Sequence, residues 1–281
     1  VILGNNALPT HLLSVSPTSG DSVFLKLTLP AKQQFDLISL QVSICDKTVS
    51  AAETVTPTYL SGSLDDGKME LVHFDHIPFL ALPVTLPSGS FVVKTYDSES
   101  RKCILTKVRP NSSIPAVRRD VLKKQIDGIF CTDGILLYNS TGMDLAYIYH
   151  YRNEFIRLDT NLNITNHYNT IDTVSTAHLK IDRITSEGTN TFSAPPMIVN
   201  KNANLFKEWL FVHSKIAAEN ENLEKFKHSA TIDLYSLVTG KYQFSFYLAD
   251  IEDERARSFA ITDNSLVAVQ GKYFVSYTLN W

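Results

Sequence analysis

The chain has 281 residues, 44% of them hydrophobic and 20% charged, with a formal net charge of −3 at pH 7. That is enough apolar material to core one large all-β domain or two ordinary ones. The slight acidic excess excludes the basic surface that nucleic acid or an anionic membrane requires, and no apolar run reaches the roughly 20 residues that cross a bilayer.

In chain order the elements are short and strand-like. Residues 1–9 carry Gly4-Asn5-Asn6 and read as loosely structured, followed by apolar runs at 11–16, 23–29 and 35–42. The second alternates: Val23, Leu25, Leu27 and Leu29 point one way and Phe24, Lys26 and Thr28 the other, the period of a half-buried strand. A Ser/Gly/Asp loop at 61–68 precedes the run 69–75, and further runs follow at 79–86, 90–97 and 103–108. Pro78, Pro83 and Pro87 make the first of these three an edge strand or a bulged one. Residues 115–125 have helical character, because Val117, Val121 and Leu122 fall at i, i+4 and i+5, and read as a short helix or a turn across the domain surface.

The densest β region comes next, with runs at 127–131, 135–138, 145–151, 154–159 and 163–168 cut by turns such as Thr132-Asp133-Gly134. A polar loop at 185–196 leads to runs at 197–200 and 208–213. The charged stretch 216–228 then reads as a surface hairpin tip or a turn or two of exposed helix. The last fifty residues make five strands, 230–234, 242–248, 259–261, 266–270 and 273–279, rich in β-branched and aromatic side chains.

A module recurs among these runs. Residues 155–164 align in form with 231–242, and 91–103 has the same strand, polar tip, strand shape; each is read as a third strand, a reverse turn and a fourth strand. Residues 135–159 likewise resemble 264–279. A unit of roughly 40–50 residues in four short antiparallel strands cannot bury both faces alone, so copies pack face to face. The form is that of a β-propeller of four-stranded antiparallel blades, six at this length with five as the alternative. It resembles the TolB-like or NHL-like propellers of exported bacterial proteins, most clearly over 126–281. The resemblance rests on blade form, since the Trp-Asp dipeptide of one propeller class and the double glycine of another are missing. It implies a single domain over 1–281 in which the final strand, 273–279, is a third strand and the N-terminal segment near His11 completes its sheet. Two separately cored halves, the first a sandwich, is the competing reading.

Cys45, Cys103 and Cys131 lack Cys-x-x-Cys spacing and read as three semi-buried thiols, with one disulfide open if the protein is exported. The chain starts at Val1 rather than Met, read as the mark of a removed leader or anchor and so of a periplasmic or cell-surface protein. His73, Asp75 and His76 are the nearest approach to a metal set. On a strand His76 faces away from the other two, so no metal or other cofactor is expected. Gly-x-Ser-x-Gly is absent, which argues against a serine hydrolase. Tyr147, Tyr149 and Tyr151 share one strand face and read as core before they read as a binding platform. Asn111, Asn139 and Asn163 head glycosylation triplets that matter only in a eukaryotic secretory host.

Position in the expected blades supplies the remaining candidates. Arg118 and Arg119, Arg183, and Arg255 and Arg257 fall on inter-blade connections, where guanidinium groups can clamp a carboxylate or sulfate; the competing reading pairs them with Asp120, Glu252, Asp253 and Glu254. The expected function is a non-enzymatic, monomeric, exported propeller whose loops bind a protein or a small ligand. The alternative is an enzyme acting on a glycan or lactone through Asp127, Asp172 or Asp250.

Overall fold

The computed structural model describes residues 1–5, 7–31, 34–53, 58–72, 81–109, 115–184 and 189–279, with backbone alone at 81, 82, 183, 184 and 189. The chain divides into two compact units, Val1–Leu122 with Thr160–Asn163, and Lys123–Asp159 with Ile164–Trp281.

In the first unit β1 (Ile2–Leu3), β2 (His11–Val15) and β3 (Ser22–Lys26) form one sheet. β4 (Leu40–Cys45), β5 (Thr48–Glu53), β6 (Thr58–Ser63) and β7 (Met69–Val72) form a second, and β8 (Ala81–Thr85), β9 (Phe91–Asp97), β10 (Lys102–Val108) and β11 (Ala116–Arg118) a third. Leu12 and Leu27 pack with Val49, Ala51 and Leu60 between the first two sheets. Tyr59, Phe91 and Val93 pack between the second and third, with the Tyr59 and Phe91 rings stacked at 3.5 Å. Leu25 and Leu27 enter the core as their alternation predicts, but Val23 stays exposed because β3 is the outer edge of its sheet. β8 lies at the end of its sheet with a register shift between Ala81 and Val84, the edge position and bulge that Pro83 demands.

The second unit holds β12 (Gly134–Asn139), β13 (Asp144–Tyr149), β14 (Glu154–Asp159) and β15 (Ile164–Asn169) in one sheet. A hairpin of β16 (Ile181–Ile184) and β17 (Thr189–Phe192) follows. β18 (Asn200–Phe206), β19 (Trp209–Ser214), β20 (Ser229–Ser236) and β21 (Tyr242–Ala249) make the next sheet, and β22 (Ala256–Ile261), β23 (Ser265–Gln270) and β24 (Tyr273–Thr278) the last. The sheet of β18–β21 is buried on both faces. Ala203, Leu210, Val212 and Tyr235 meet Ala146, Ile148 and Phe155 on one side, while Phe211, Ile232 and Leu234 meet Phe259, Ile261 and Leu266 on the other. This packing of sheet face on sheet face is the blade logic expected from the repeats, and the fold class is a six-bladed β-propeller.

Among the described residues the sheets β1–β3 and β22–β24 carry three strands each. Three particulars correct the sequence reading. The segment 115–125 is not a helix: Ala116–Arg118 completes a sheet beside Leu105–Lys107, and Val117 is 39% exposed, so it never shares a buried face with Val121. The aligned hairpins at 155–164 and 231–242 are third and fourth strands, but the one at 91–103 supplies a second and a third. β24 is a third strand as expected, yet among the described residues the N-terminal segment pairs with its own neighbour, Ile2 opposite Ser14, and adds no strand to the sheet of β24. The stretch 216–228 does carry a turn of exposed helix, α1 (Leu223–Lys227), capped by Asn222, whose side chain accepts from the Lys225 amide. No described helix is long and apolar enough to cross a membrane.

Candidate functional site

The site grows out of the alternation in Ser229-Ala-Thr-Ile-Asp-Leu-Tyr. Ala230, Ile232 and Leu234 face the core, so Thr231, Asp233 and Tyr235 face the other way. Across the ladder Thr231 opposes Tyr247, Asp233 opposes Ser245 and Tyr235 opposes Tyr242, with a register shift between Leu234 and Tyr235. Strict alternation along β21 would put Tyr242 on the side of Phe244 and Phe246. The bulge moves it to the side of Ser245 and Tyr247 instead.

Thr231, Asp233, Tyr242, Ser245 and Tyr247, with Ile171–Thr173, Ser214 and the segment 216–221, line a cavity of about 520 Å³. Inside it Tyr242 Oη and Ser245 Oγ are 2.8 Å apart, and Ser245 Oγ donates to Asp233 Oδ1 at 2.6 Å. Tyr235 Oη, which accepts from the Ile171 amide, lies 3.4 Å from Asp233 Oδ2. Asp172 caps its own turn, accepting from Thr170 Oγ1 at 2.5 Å and from the Val174 amide at 3.0 Å. Tyr247 donates its hydroxyl to Glu221, and the Lys225 ammonium sits 4.1 Å from the centre of the Tyr247 ring. Thr231 is 4% exposed, and its hydroxyl has no partner among the described residues.

Burial pushes the Asp233 carboxyl up to about 6; the hydrogen bonds from Ser245 and Tyr235 oppose this, and the charges of Asp172 and Glu221 add to it. Burial also raises Asp172. The Tyr247 hydroxyl is held protonated above its ordinary range, chiefly by its bond to Glu221. Four carboxyl groups, Asp172, Glu219, Glu221 and Asp233, thus line one cavity with no lysine, arginine or histidine among the described lining residues. A second cavity of about 490 Å³, in the first unit, offers nothing comparable: it is lined by Gly4, Asn5, Pro9, Ile38, Leu40, Gln41 and Val42, and the Asn5 side chain already serves the Ala7 and Leu8 amides.

Of the arginines singled out from the sequence, Arg118, Arg119, Arg255 and Arg257 are not among the residues that line this cavity. Arg118 forms a two-pronged pair with Asp120 at 2.9–3.0 Å and donates to Asn163 at 2.5 Å. Arg119 forks onto Asp97 at 2.8 and 3.2 Å and reaches Glu99 at 2.7 Å, which holds the Asp97 carboxyl well below the usual range. Arg255 faces Asp250 at 3.4 Å and Arg257 faces Glu254 at 3.6 Å. Arg183 is placed on β16 opposite Asn190, and its side chain lies outside the described residues. The charge of Arg255 also bears on His213, buried at the end of β19. There burial first, then Lys201, Lys215 and Arg255, push the imidazole down to about 3.

Of the alternative carboxylates, Asp172 lines the cavity, Asp127 is tied to the amides of Ile129, Phe130 and Cys131, and Asp250 is paired with Arg255. Tyr147, Tyr149 and Tyr151 are core, with Tyr147 donating to the Thr132 carbonyl. Among the described residues no group of His, Cys, Asp and Glu is placed to hold a metal; His73, Asp75 and His76 fall outside them, as does Asn111. Asn139 is buried in its turn and Asn163 is exposed. The alternation of Thr231, Asp233 and Tyr235 was readable as a polar face on a buried strand, but its partner residues were not, because the bulge in β21 breaks their period.

No protein-family model matches the chain, and no curated protein matches it. Solved structures do. A putative 6-phosphogluconolactonase from Bacteroides uniformis superposes with a TM-score of 0.52 at 10% identity, over 99% of this chain and 91% of that one. A catalytically inactive virginiamycin B lyase from Staphylococcus aureus, solved with quinupristin, gives 0.52 at 10% over 99% and 94%. A streptogramin B lyase gives 0.50 at 10% over 96% and 87%. Identity this low shows the fold alone, and what it shows is a β-propeller, without singling out the TolB-like or NHL-like type.

Proposed function

We propose that this chain is a non-enzymatic ligand-binding propeller whose binding site is the cavity on the β20–β21 face. The carrying observation is Thr231: a buried hydroxyl with no partner among the described residues, on the wall of a cavity whose neighbouring polar groups are already arranged. A buried polar group left unpaired is costly, and a bound polar molecule relieves that cost. Asp233 and Asp172 are held by internal donors, which suits fixed recognition groups. An exported setting is part of the same proposal.

The test is calorimetric titration of the intact chain with a panel of small polar molecules, neutral and charged. Binding that is lost in Thr231→Val and Tyr242→Ala is the expected result; binding that both variants retain removes the site. One observation favours a second reading, an enzyme acting on a glycan or lactone: Asp233, raised to about 6 beside Asp172, has the protonation of a general acid. Turnover of aryl glycosides or simple lactones that disappears in Asp233→Asn would establish that reading in place of the first.

A further inference from the structure

We propose that the cavity on the β20–β21 face selects an organic ammonium ion. The inference rests on that cavity being a binding site, and it names the class of molecule bound.

Charge is the first argument. Asp172, Glu219, Glu221 and Asp233 line one wall system with no basic residue among the described lining groups, and Lys225, whose ammonium lies over the Tyr247 ring, offsets only part of their mutual repulsion. At Asp233 burial is the main reason the charged form is disfavoured, and the charges of Asp172 and Glu221 add to it. A cation entering the cavity converts that repulsion into attraction, whereas an anion adds to it.

Size and ligand geometry separate an organic cation from a metal. No three of the acidic side chains converge as metal ligands among the described residues. The space of about 520 Å³ also exceeds what a bare ion fills and lies in the range of small-molecule sites.

The hydroxyl and aromatic groups supply the rest. Thr231 Oγ1 is a buried acceptor without a partner among the described residues, directly opposite Tyr247 across the ladder. Tyrosine rings attract ammonium groups through their negative faces. The chain already demonstrates this at the rim, where the Lys225 ammonium lies 4.1 Å from the centre of the Tyr247 ring. Tyr242, which the bulge turns onto the same face, supplies a second ring.

The experiment compares choline with its uncharged carbon isostere, 3,3-dimethyl-1-butanol, together with 1,4-diaminobutane and a neutral monosaccharide, each titrated into the intact chain. Choline or the diamine is expected to bind at least about tenfold more tightly than the neutral isostere, since one charge interaction worth a pKa unit is a factor of ten. Glu221→Gln and Asp233→Asn are each expected to weaken the ammonium ligand by about that factor while leaving the melting transition cooperative. Equal affinity for choline and its isostere, or binding of the sugar alone, overturns the charge selection and leaves the cavity a binding site. Binding of none of the four overturns both.

Discussion

Ser245 Oγ donates to Asp233 Oδ1 at 2.6 Å from the position directly opposite it across β20 and β21. The bond is the hinge of the polar face: it fixes a carboxyl that the surrounding sheet has taken out of water. Ser245→Ala removes the donor and leaves Asp233 with the longer contact to Tyr235. A loss of roughly 1–3 kcal/mol in chemical unfolding is expected, and an unchanged midpoint would show that the bond carries no net stability.

The same carboxyl sets a pH dependence. Its folded value, about 6, lies above the ordinary 3.8, so the folded chain keeps a proton that the unfolded chain releases between those values. The stability this group contributes is complete below about 3.8 and is lost as the pH rises through 6. Asp233→Asn holds the neutral form throughout and retains an acceptor for Ser245. Relative to wild type it is expected to gain roughly 2–3 kcal/mol between pH 4 and pH 7, measured by urea unfolding at both. A difference that does not change with pH would remove the assignment.

His213 works in the opposite sense. Its folded value, about 3, lies below the ordinary 6.5, so the unfolded chain takes up a proton that the folded chain refuses. The contribution is present above 6.5 and is lost as the pH falls toward 3. His213→Leu, on a face that already holds Phe211 and Ile232, is expected to soften the acid-side loss by roughly 3 kcal/mol at pH 4. An acid-unfolding curve that keeps its wild-type midpoint would contradict this.

Arg152 is 1% exposed, stacked at 3.4 Å on the Tyr149 ring, paired with Glu154 at 2.8 Å and bonded to the carbonyls of Lys123 and Cys131. Its guanidinium ties the turn after β13 to the segment that precedes β12. Arg152→Met keeps much of the volume but strands those acceptors, and a loss of roughly 3–5 kcal/mol is expected in thermal or urea unfolding. A variant within 1 kcal/mol or so of wild type would place the stability in packing alone.

Gly240 has φ +70°, and a Cβ there would lie 2.1 Å from Tyr168 Cδ1. Tyr168 cannot simply swing away, because its hydroxyl donates to the Val238 carbonyl at 2.5 Å and its ring packs on Phe155. Gly240→Ala therefore combines backbone strain with a clash and is expected to cost roughly 2–4 kcal/mol. The Tyr168 resonances should shift in the NMR spectrum, and their constancy would show that the turn yields instead.

Much of the architecture was legible because each blade strand announces itself locally: period-two burial, β-branched and aromatic content, and a turn residue at each end. Pro83 foretold an edge strand with a bulge, and both are present. The segment 115–125 misled because three apolar residues at helical spacing carry no record of what they will meet. Pairing with Leu105–Lys107 outweighed the helical pattern. The arginines show how far such a reading reaches: the pairing with Asp120 and Glu254 was legible as neighbours in sequence, whereas Asp97, twenty-two positions from Arg119, stands opposite only in the fold.

What the residues alone settled was the all-β class and the blade-sized repeat, since each depends on neighbours a few positions away along the chain. Only the folded chain decided that Tyr242 joins Ser245 and Tyr247, that Asp172 and Glu221 share a cavity with Asp233, and that Thr231 is left without a partner among the described residues. Those facts turn on one bulge and on contacts between residues far apart in sequence, such as the Ile171 amide and the Tyr235 hydroxyl, 64 positions apart. Strand register and long-range packing place them, and neither leaves a mark in local pattern.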